Sequence, residues 1–277
     1  MDWAKAAHEG KVPPIGRACD HYNRYEEDFD IAQALGHNCH RLSVEWARIE
    51  PEEGKFDEKE IEHYRDVLRA LRARRLEPFV TLWHFSLPLW FSEKGGFEQK
   101  NSPEIFARYC VYVVEKLGDL CQDFSTINEP GVFASKGWLI GDWPPFKHVS
   151  PILYFRVMKN LAYAHNVAYD EIKKVQPKVV VSLVKQVVAF ESNLNPFNML
   201  LAWLASYFMT HKFMNRTYKK CDQIGINYYF YKKFGFSYHV ELSTRLEKTI
   251  GNDKLWDKAE KVLENVLKKK KMNLEKN

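Results

Sequence analysis

Residues 124–130 read Phe-Ser-Thr-Ile-Asn-Glu-Pro, a mostly apolar run that ends in a carboxylate followed by a proline. The run predicts a β-strand from Phe124 to Asn128 and places Glu129 at its carboxyl end. A carboxylate buried at such a position is costly unless it is paired or has a function. Glu129 is therefore either a catalytic carboxyl or the partner of a neighbouring arginine in an ion pair.

Four further apolar runs predict strands, and longer amphipathic patterns between them predict helices. The predicted strands are Asn38–Val44, Pro78–His84, Val179–Val184 and Gln223–Tyr229, and the predicted helices are Tyr22–Leu35, Ile61–Arg74, Ser102–Leu120, Pro151–Lys174 and one from about Asn198. Strands that alternate with helices indicate parallel βαβ units and an α/β fold. No Gly-x-Gly-x-x-Gly turn follows any of these strands, so the pattern favours a barrel over a dinucleotide-binding fold.

Several local signals refine this outline. Ser102, followed by Pro103, is expected to cap its helix. The Gly-, Trp- and Pro-rich stretch Gly137–Lys147 predicts a loop long enough to be functional. The apolar stretch Met199–Met209 is about half the length of a membrane span and predicts a buried helix. A charged amphipathic helix is expected from about Lys254 to Lys270.

Composition excludes several classes of protein. The 277 residues are 45% apolar, which indicates a folded domain rather than a disordered chain. The net charge of +5 comes largely from Lys268–Lys271, and no basic stripe with aromatic residues predicts nucleic-acid binding. Five scattered cysteines without a Cys-x-x-Cys pair argue against a disulfide framework and a zinc site. With no signal-peptide pattern, the sequence predicts a soluble, cytoplasmic protein without metal, cofactor or membrane partner.

Candidate functional residues lie where the predicted strands end. Reactive side chains of a parallel barrel occupy the carboxyl ends of its strands. Those ends carry the segment from Arg41 to Trp46, His84, Asn128 with Glu129, Lys185, and the segment from Asn227 to Tyr229. Sugar hydroxyls need hydrogen-bond donors and acceptors, and a glycosyl transition state needs carboxylates, so the set suits a sugar site. Each residue alone is weak evidence, since a single histidine at a strand end is more often structural.

Thr126-Ile127-Asn128-Glu129-Pro130 resembles the Thr-Phe/Leu-Asn-Glu-Pro signature of glycoside hydrolase family 1, the β-glucosidase and β-galactosidase family. Other segments resemble the same family in the same order over roughly residues 3 to 236: Cys19–Asp28 its first barrel helix, His40–Ile49 its Arg-Phe-Ser-x-x-Trp-x-Arg-Ile strand, Leu82–Trp90 its His-x-x-Leu-Pro segment, and Gly225–Tyr229 its Gly-x-Asn-Tyr-Tyr strand. Five ordered segments make the resemblance specific. It implies a (β/α)8 TIM-barrel fold and retaining hydrolysis of β-linked glycosides or oligosaccharides.

The resemblance also implies a role for each matching residue. Glu129 would be the acid/base, which protonates the leaving oxygen and later deprotonates the attacking water. Asn128 would bind the sugar 2-hydroxyl and His84 the 3-hydroxyl region, while Phe85 would replace an aromatic residue, often Trp, beside the same sugar. Tyr229 and Arg41 would hold the nucleophile, with Asn227 as a supporting residue of the same strand motif.

The family pattern is incomplete at both ends, so about five of the eight strands are recognisable. The glutamine segment of the first strand is unmatched, and no Thr-Glu-Asn-Gly nucleophile motif occurs. The carboxylates available as substitutes are Glu45, Glu191, Glu241 and Glu247, and none has a matching context. We expect one barrel domain over residues 1–277, with residues 254–277 as its charged helix and tail. Two open sheet edges would remain, covered by the helix near Trp256–Leu267 or by a second copy in a homo-oligomer.

Three hypotheses stay open on this basis. The chain is a β-glycosidase that uses Glu129 and an unassigned second carboxylate. Alternatively, it is a catalytically impaired or inactive barrel fragment that retains sugar binding. In the third hypothesis it is an assembly module that pairs with a complementary fragment.

Overall fold

The structure, a computed structural model, describes residues 1–234 of the chain. Its five strands form one sheet in the order β1-β2-β3-β4-β5: β1 (Cys39–Ser43), β2 (Glu77–Trp83), β3 (Asp123–Asn128), β4 (Val180–Ser192) and β5 (Gln223–Phe234). The pairs β1–β2, β2–β3 and β3–β4 are parallel. The strand order follows the chain order, which confirms the predicted succession of βαβ units.

Helices connect successive strands. They are α1 (Asp2–His8), α2 (His21–Ala34), α3 (Trp46–Ile49), α4 (Glu58–Ala73), α5 (Leu89–Glu93), α6 (Ser102–Leu117), α7 (Pro130–Ser135), α8 (Pro151–Val175), α9 (Pro196–Ser206) and α10 (Lys212–Thr217). Short 3-10 turns occupy Gly96–Glu98 and Tyr218–Lys220, and single π turns occupy Lys136–Ile140 and Tyr207–His211. The predicted loop Gly137–Lys147 therefore begins inside a π turn. No helix within residues 1–234 is both long and apolar enough to cross a bilayer.

The chain divides into two compact units. The first comprises Met1–Val184 and Lys220–Ile224. The second comprises Lys185–Lys219 and the chain from Gly225 onward, of which residues 225–234 are described. The expected single barrel domain over residues 1–277 stays a prediction. The expected helix Lys254–Lys270, its proposed covering of a sheet edge, and the carboxylates Glu241 and Glu247 lie outside the described residues.

Aromatic side chains form the core of the first unit. Trp46 stacks on Tyr109 with ring centroids 4.8 Å apart, and Trp83 packs against Phe97 at 4.9 Å and Phe133 at 4.8 Å. All five are almost completely buried. Each buried ring stabilises the fold by about 2–3 kcal/mol through removal of apolar surface from water. These buried rings belong to the packing between the sheet and its helices.

The starts of α4 and α6 differ from what the sequence predicts. α4 starts three residues before the predicted Ile61, because the Asp57 carboxylate accepts a hydrogen bond from the Lys59 amide at 2.8 Å. The prediction that Ser102 caps α6 was wrong. Asn101 precedes the helix, and the Ser102 hydroxyl donates to the Gln99 carbonyl at 2.9 Å. Shifts of one to three residues at a helix start are too small for local sequence patterns to predict.

The second unit contains the remainder of β4 and β5 together with α9 and α10. Asn195 caps α9, since its side-chain oxygen accepts from the amides of Phe197 at 2.9 Å and Asn198 at 3.3 Å. The prediction of a buried helix over Met199–Met209 was wrong in part. The exposed apolar side chains are Phe197, just before this stretch, and Met199, Leu200, Trp203, Tyr207 and Phe208 within it. A run of apolar residues does not by itself say how many sides of a helix are covered.

A buried histidine ties β3 to α8 in the first unit. The two ring nitrogens of His165 lie 2.7 Å from Thr126 Oγ1 and 3.1 Å from Cys221 Sγ. Its complete burial lowers the pKa of His165 to about 4. The imidazole is therefore neutral in the folded protein at neutral pH.

We predict that this histidine makes folding stability depend on acidity. The pKa of His165 is lower in the folded state than in the unfolded chain, so its stabilising contribution is complete above about pH 6.5. That contribution is lost as the pH falls towards 4. Urea unfolding at pH 7 and pH 4.5 should show wild type losing roughly 2–3 kcal/mol more than His165→Gln. Equal losses in the two proteins would contradict this assignment.

Candidate active site

Three of the predicted site residues form a hydrogen-bonded group at the carboxyl ends of β1, β2 and β3. Arg41 Nη2 donates to Asn128 Oδ1 at 2.8 Å. The side-chain nitrogen of Asn128 lies 3.2 Å from His84 Nε2. Arg41 is on β1, His84 directly follows β2, and Asn128 is the last residue of β3. Parallel strands place their carboxyl ends at one edge of a sheet, which is why residues so distant in sequence meet there.

The arginine fixes the orientation of the Asn128 amide. Because guanidinium groups only donate, the atom of Asn128 facing Arg41 must be the oxygen. The amide nitrogen then donates to His84 Nε2, so Nε2 is unprotonated and the ring proton sits on Nδ1. Desolvation of the ring and the positive charge of Arg41 both lower the pKa of His84, while the charge of Glu129 acts in the opposite direction. His84 is thus a neutral, exposed histidine whose hydrogen-bonding pattern is set.

Glu129 occupies the turn between β3 and α7. It is 6% exposed, and its backbone adopts a left-handed conformation with φ of 43°. Pro130 is the first residue of α7, where its fixed φ suits the helix, and it disfavours a helical conformation for the residue before it. The Glu129 amide donates to the Val184 carbonyl at 2.8 Å, which ties this turn to β4. A non-glycine residue in this conformation is strained by about 1–3 kcal/mol, as is common at functional sites.

Phe85 is a second residue with a left-handed backbone, with φ of 80°. Its ring contacts His84 at a centroid distance of 4.9 Å and Trp143 at 4.9 Å. Trp143 in turn packs edge-on against Trp3 of α1 at 5.4 Å. Sequence reasoning marked the Trp-rich loop but not its individual rings, and it missed α1 altogether. Phe85, which the family resemblance predicts to lie beside a sugar, is therefore the first of three aromatic rings in contact, followed by Trp143 and Trp3.

Thr81 was also missed. Its hydroxyl accepts a hydrogen bond from Arg41 Nε at 2.9 Å, and its side chain is completely buried. The available signal was a threonine inside an otherwise apolar run that leads to His84. A buried hydroxyl requires a partner, and here the partner is a site residue.

The remaining predicted residues lie in the second unit or have structural roles. Asn227 and Tyr229 are in the part of β5 that belongs to the second unit, and Tyr229 is 53% exposed. Glu45 caps α3 by accepting from the Ala47 amide at 3.1 Å and also accepts from Ser86 Oγ at 2.6 Å. These contacts support a structural role for Glu45. Glu191 is in the second-unit part of β4. Within residues 1–234, no group of three or more His, Cys, Asp or Glu side chains is arranged to hold a metal ion.

Comparison with known proteins decides the family. The sequence model described as glycosyl hydrolase family 1 matches residues 7–221. The chain belongs to this family. β-Glucosidase A of Thermotoga maritima is 37% identical over 149 residues, which are 53% of this chain and 33% of that enzyme.

Solved structures agree with the family assignment. A β-glycosidase from Pyrococcus horikoshii superimposes with a TM-score of 0.78 at 31% identity, covering 86% of this chain and 59% of that one. The β-glucosidase of T. maritima in complex with deoxynojirimycin gives a TM-score of 0.71 at 27% identity, covering 79% and 56%. In sequence, the matching part of the chain spans about a third of the length of the curated relatives. Its five successive strands form part of an incomplete (β/α)8 barrel, as predicted.

We predict that the charge of Arg41 controls the protonation of His84. Replacing Arg41 with Met removes a positive charge that lowers the pKa of His84, and so that pKa should rise. An NMR titration of the histidine side chains, with His84→Gln used to assign the signal, measures the shift. Arg41→Lys retains the charge and serves as the matched control. An unchanged His84 pKa in Arg41→Met would contradict the electrostatic coupling.

Proposed function

We propose that this chain carries the acid/base half of a retaining β-glycosidase that acts on β-linked glucosides or galactosides. The observation that supports the proposal best is the position of Glu129. Its buried carboxyl group follows a strand end at which Arg41, Asn128 and His84 are already linked by hydrogen bonds. A proton donor beside fixed polar groups is what cleavage of a glycosidic bond requires.

In the proposed reaction the sugar binds at the carboxyl end of the strands. Asn128 directs an amide donor to the 2-hydroxyl, and neutral His84 contacts the 3-hydroxyl region beside Phe85. Glu129 gives its proton to the glycosidic oxygen as the bond to the anomeric carbon breaks and a carboxylate attacks that carbon. Glu129 then takes a proton from water, and the hydroxide formed displaces the carboxylate and releases the sugar. Arg41 orients the attacking carboxylate, and the same role for Tyr229, with Asn227 in support, is what the family resemblance implies.

The second carboxylate determines whether this chain acts alone. The sequence contains no Thr-Glu-Asn-Gly motif, and loss of one of two cooperating catalytic groups lowers rates by several orders of magnitude. Our alternative proposal is that the isolated chain is catalytically impaired or inactive and retains sugar binding or serves as an assembly module. The intact Arg41–Asn128–His84 group favours retained binding, because these side chains hold one another in position without the missing motif.

Hydrolysis of aryl β-glucosides and β-galactosides tests the role of Glu129. We expect wild type to release phenolate faster than Glu129→Gln, which keeps the size of the side chain and cannot exchange the proton. Equal, measurable rates in the two proteins would end the assignment of Glu129 as the acid/base. Glu45→Gln is the matched control, because Glu45 caps a helix, and we expect this variant to lose stability but to keep the wild-type hydrolysis rate.

Calorimetric titration with deoxynojirimycin separates the alternatives if neither protein hydrolyses the substrates. Binding without hydrolysis would favour the impaired fragment that retains its sugar site. We expect Asn128→Ala to weaken binding about tenfold, since it removes one hydrogen bond to the ligand. Undetectable binding together with undetectable hydrolysis would contradict both the glycosidase proposal and the retained sugar binding.

The assembly alternative predicts a change in mass. β1 and β5 stand at the two ends of the strand order, and sheet edges offer backbone groups for pairing with another chain. Light scattering after size exclusion should give a mass above the 32.7 kDa of one chain, or a mass that rises on addition of a fragment carrying the family's last two strands. A 32.7 kDa species under both conditions would contradict the assembly role.

A further inference from the structure

Thr81 lies inside β2, on the strand between the two that carry Arg41 and Asn128. Its side chain is completely buried, and its hydroxyl accepts from Arg41 Nε at 2.9 Å. The same guanidinium group donates from Nη2 to Asn128 Oδ1 at 2.8 Å. We propose that Thr81 is a positioning residue, which acts through Arg41 to keep the Asn128 amide aligned for the sugar. This inference rests on the proposed function of the site.

The geometry of arginine is the reason for this assignment. The guanidinium group is a rigid plane, so fixing two of its nitrogens fixes its rotation. With Nε held by Thr81, Nη2 points at Asn128. Loss of the Thr81 acceptor removes the hydrogen bond that holds Nε, and Arg41 has an exposed position towards which its plane can turn.

The effect on Asn128 follows from its burial. Asn128 is 1% exposed, so water does not readily replace a partner that moves away. Arg41 is the group that distinguishes the two ends of its amide, because only the oxygen can accept from a guanidinium. Once Arg41 turns, the amide is free to reverse and would present oxygen where the sugar needs a donor. His84, which accepts from the amide nitrogen, would lose that donor in the reversed state.

A purely structural role for Thr81 makes a different prediction. In that case Thr81 fills space in β2, and only stability changes when its hydroxyl is removed. Thr81→Val keeps the shape and removes the acceptor, while Thr81→Ser keeps the acceptor and removes a methyl group. Comparison of these two variants separates the positioning effect from packing.

The test measures His84 by side-chain NMR and deoxynojirimycin binding by calorimetry in the full chain. We expect Thr81→Val to raise the His84 pKa, to change the tautomer signal of its ring nitrogens, and to weaken deoxynojirimycin binding about tenfold. Thr81→Ser should behave as wild type in all three measurements. If Thr81→Val lowers the unfolding temperature but leaves the His84 signals unchanged, Thr81 is structural and the proposal is wrong.

Two further comparisons keep the outcome interpretable. If Thr81→Val does not fold, Thr81→Ala provides the same test, since the alanine variant and Thr81→Ser differ only in the hydroxyl group. It should then give the altered His84 tautomer signal, and an unaltered signal would overturn the proposal. The NMR readout needs no hydrolysis, so a failed assay for Glu129 would refute the proposed function while leaving the result for Thr81 distinct.

Discussion

Parallel pairing of β1, β2 and β3 is the constraint on which the rest of the site depends. The register places Arg41 opposite Phe79 and Ser43 opposite Thr81, and it continues from β2 to β3 with Trp83 opposite Ile127. A shift by one residue would turn alternate side chains to the other face of the sheet. The guanidinium of Arg41 would then reach neither Thr81 nor Asn128. Backbone pairing thus sets the polar contacts, and those contacts in turn set which ring nitrogen of His84 carries the proton.

Strain and packing are linked at the same edge of the sheet. Glu129 and Phe85 both adopt left-handed backbone conformations, each costing about 1–3 kcal/mol. Directly behind them lie buried rings, with Trp83 before Phe85 and Phe133 after Glu129, and these two rings pack against each other at 4.8 Å. Burial of two large aromatic side chains is comparable with the strain in magnitude and opposite in sign. Burial of these rings can therefore offset the strain of the two left-handed turns.

The sequence was sufficient to predict the order of strands and helices and to identify Glu129, Asn128, His84 and Arg41 as strand-end residues. These follow from periodicity and from the rule that parallel strands end at one edge. Thr81 was not predicted as a site residue, because a threonine in an apolar strand has no distinguishing local pattern until its partner is known. The exposed side of α9 was not predicted for a similar reason, since apolar composition does not reveal which neighbours a helix has. Contacts between residues about 40 or more positions apart, such as Arg41 with Thr81 and Asn128, require the fold itself.

The geometry of Arg41 bears on how far sugar recognition and bond cleavage can be separated. In the proposed mechanism Arg41 has two tasks, which are to align Asn128 and to orient an attacking carboxylate. The first task is complete within residues of β1, β2 and β3, because the donors Nε and Nη2 are already engaged there. The second needs a partner that the family pattern assigns to a later strand. A preformed amide orientation reduces the entropy lost when a sugar binds, whether or not a nucleophile is present. In this proposal, recognition depends on the contacts among the first three strands, while cleavage depends on a carboxylate that the recognised motifs of this sequence do not supply.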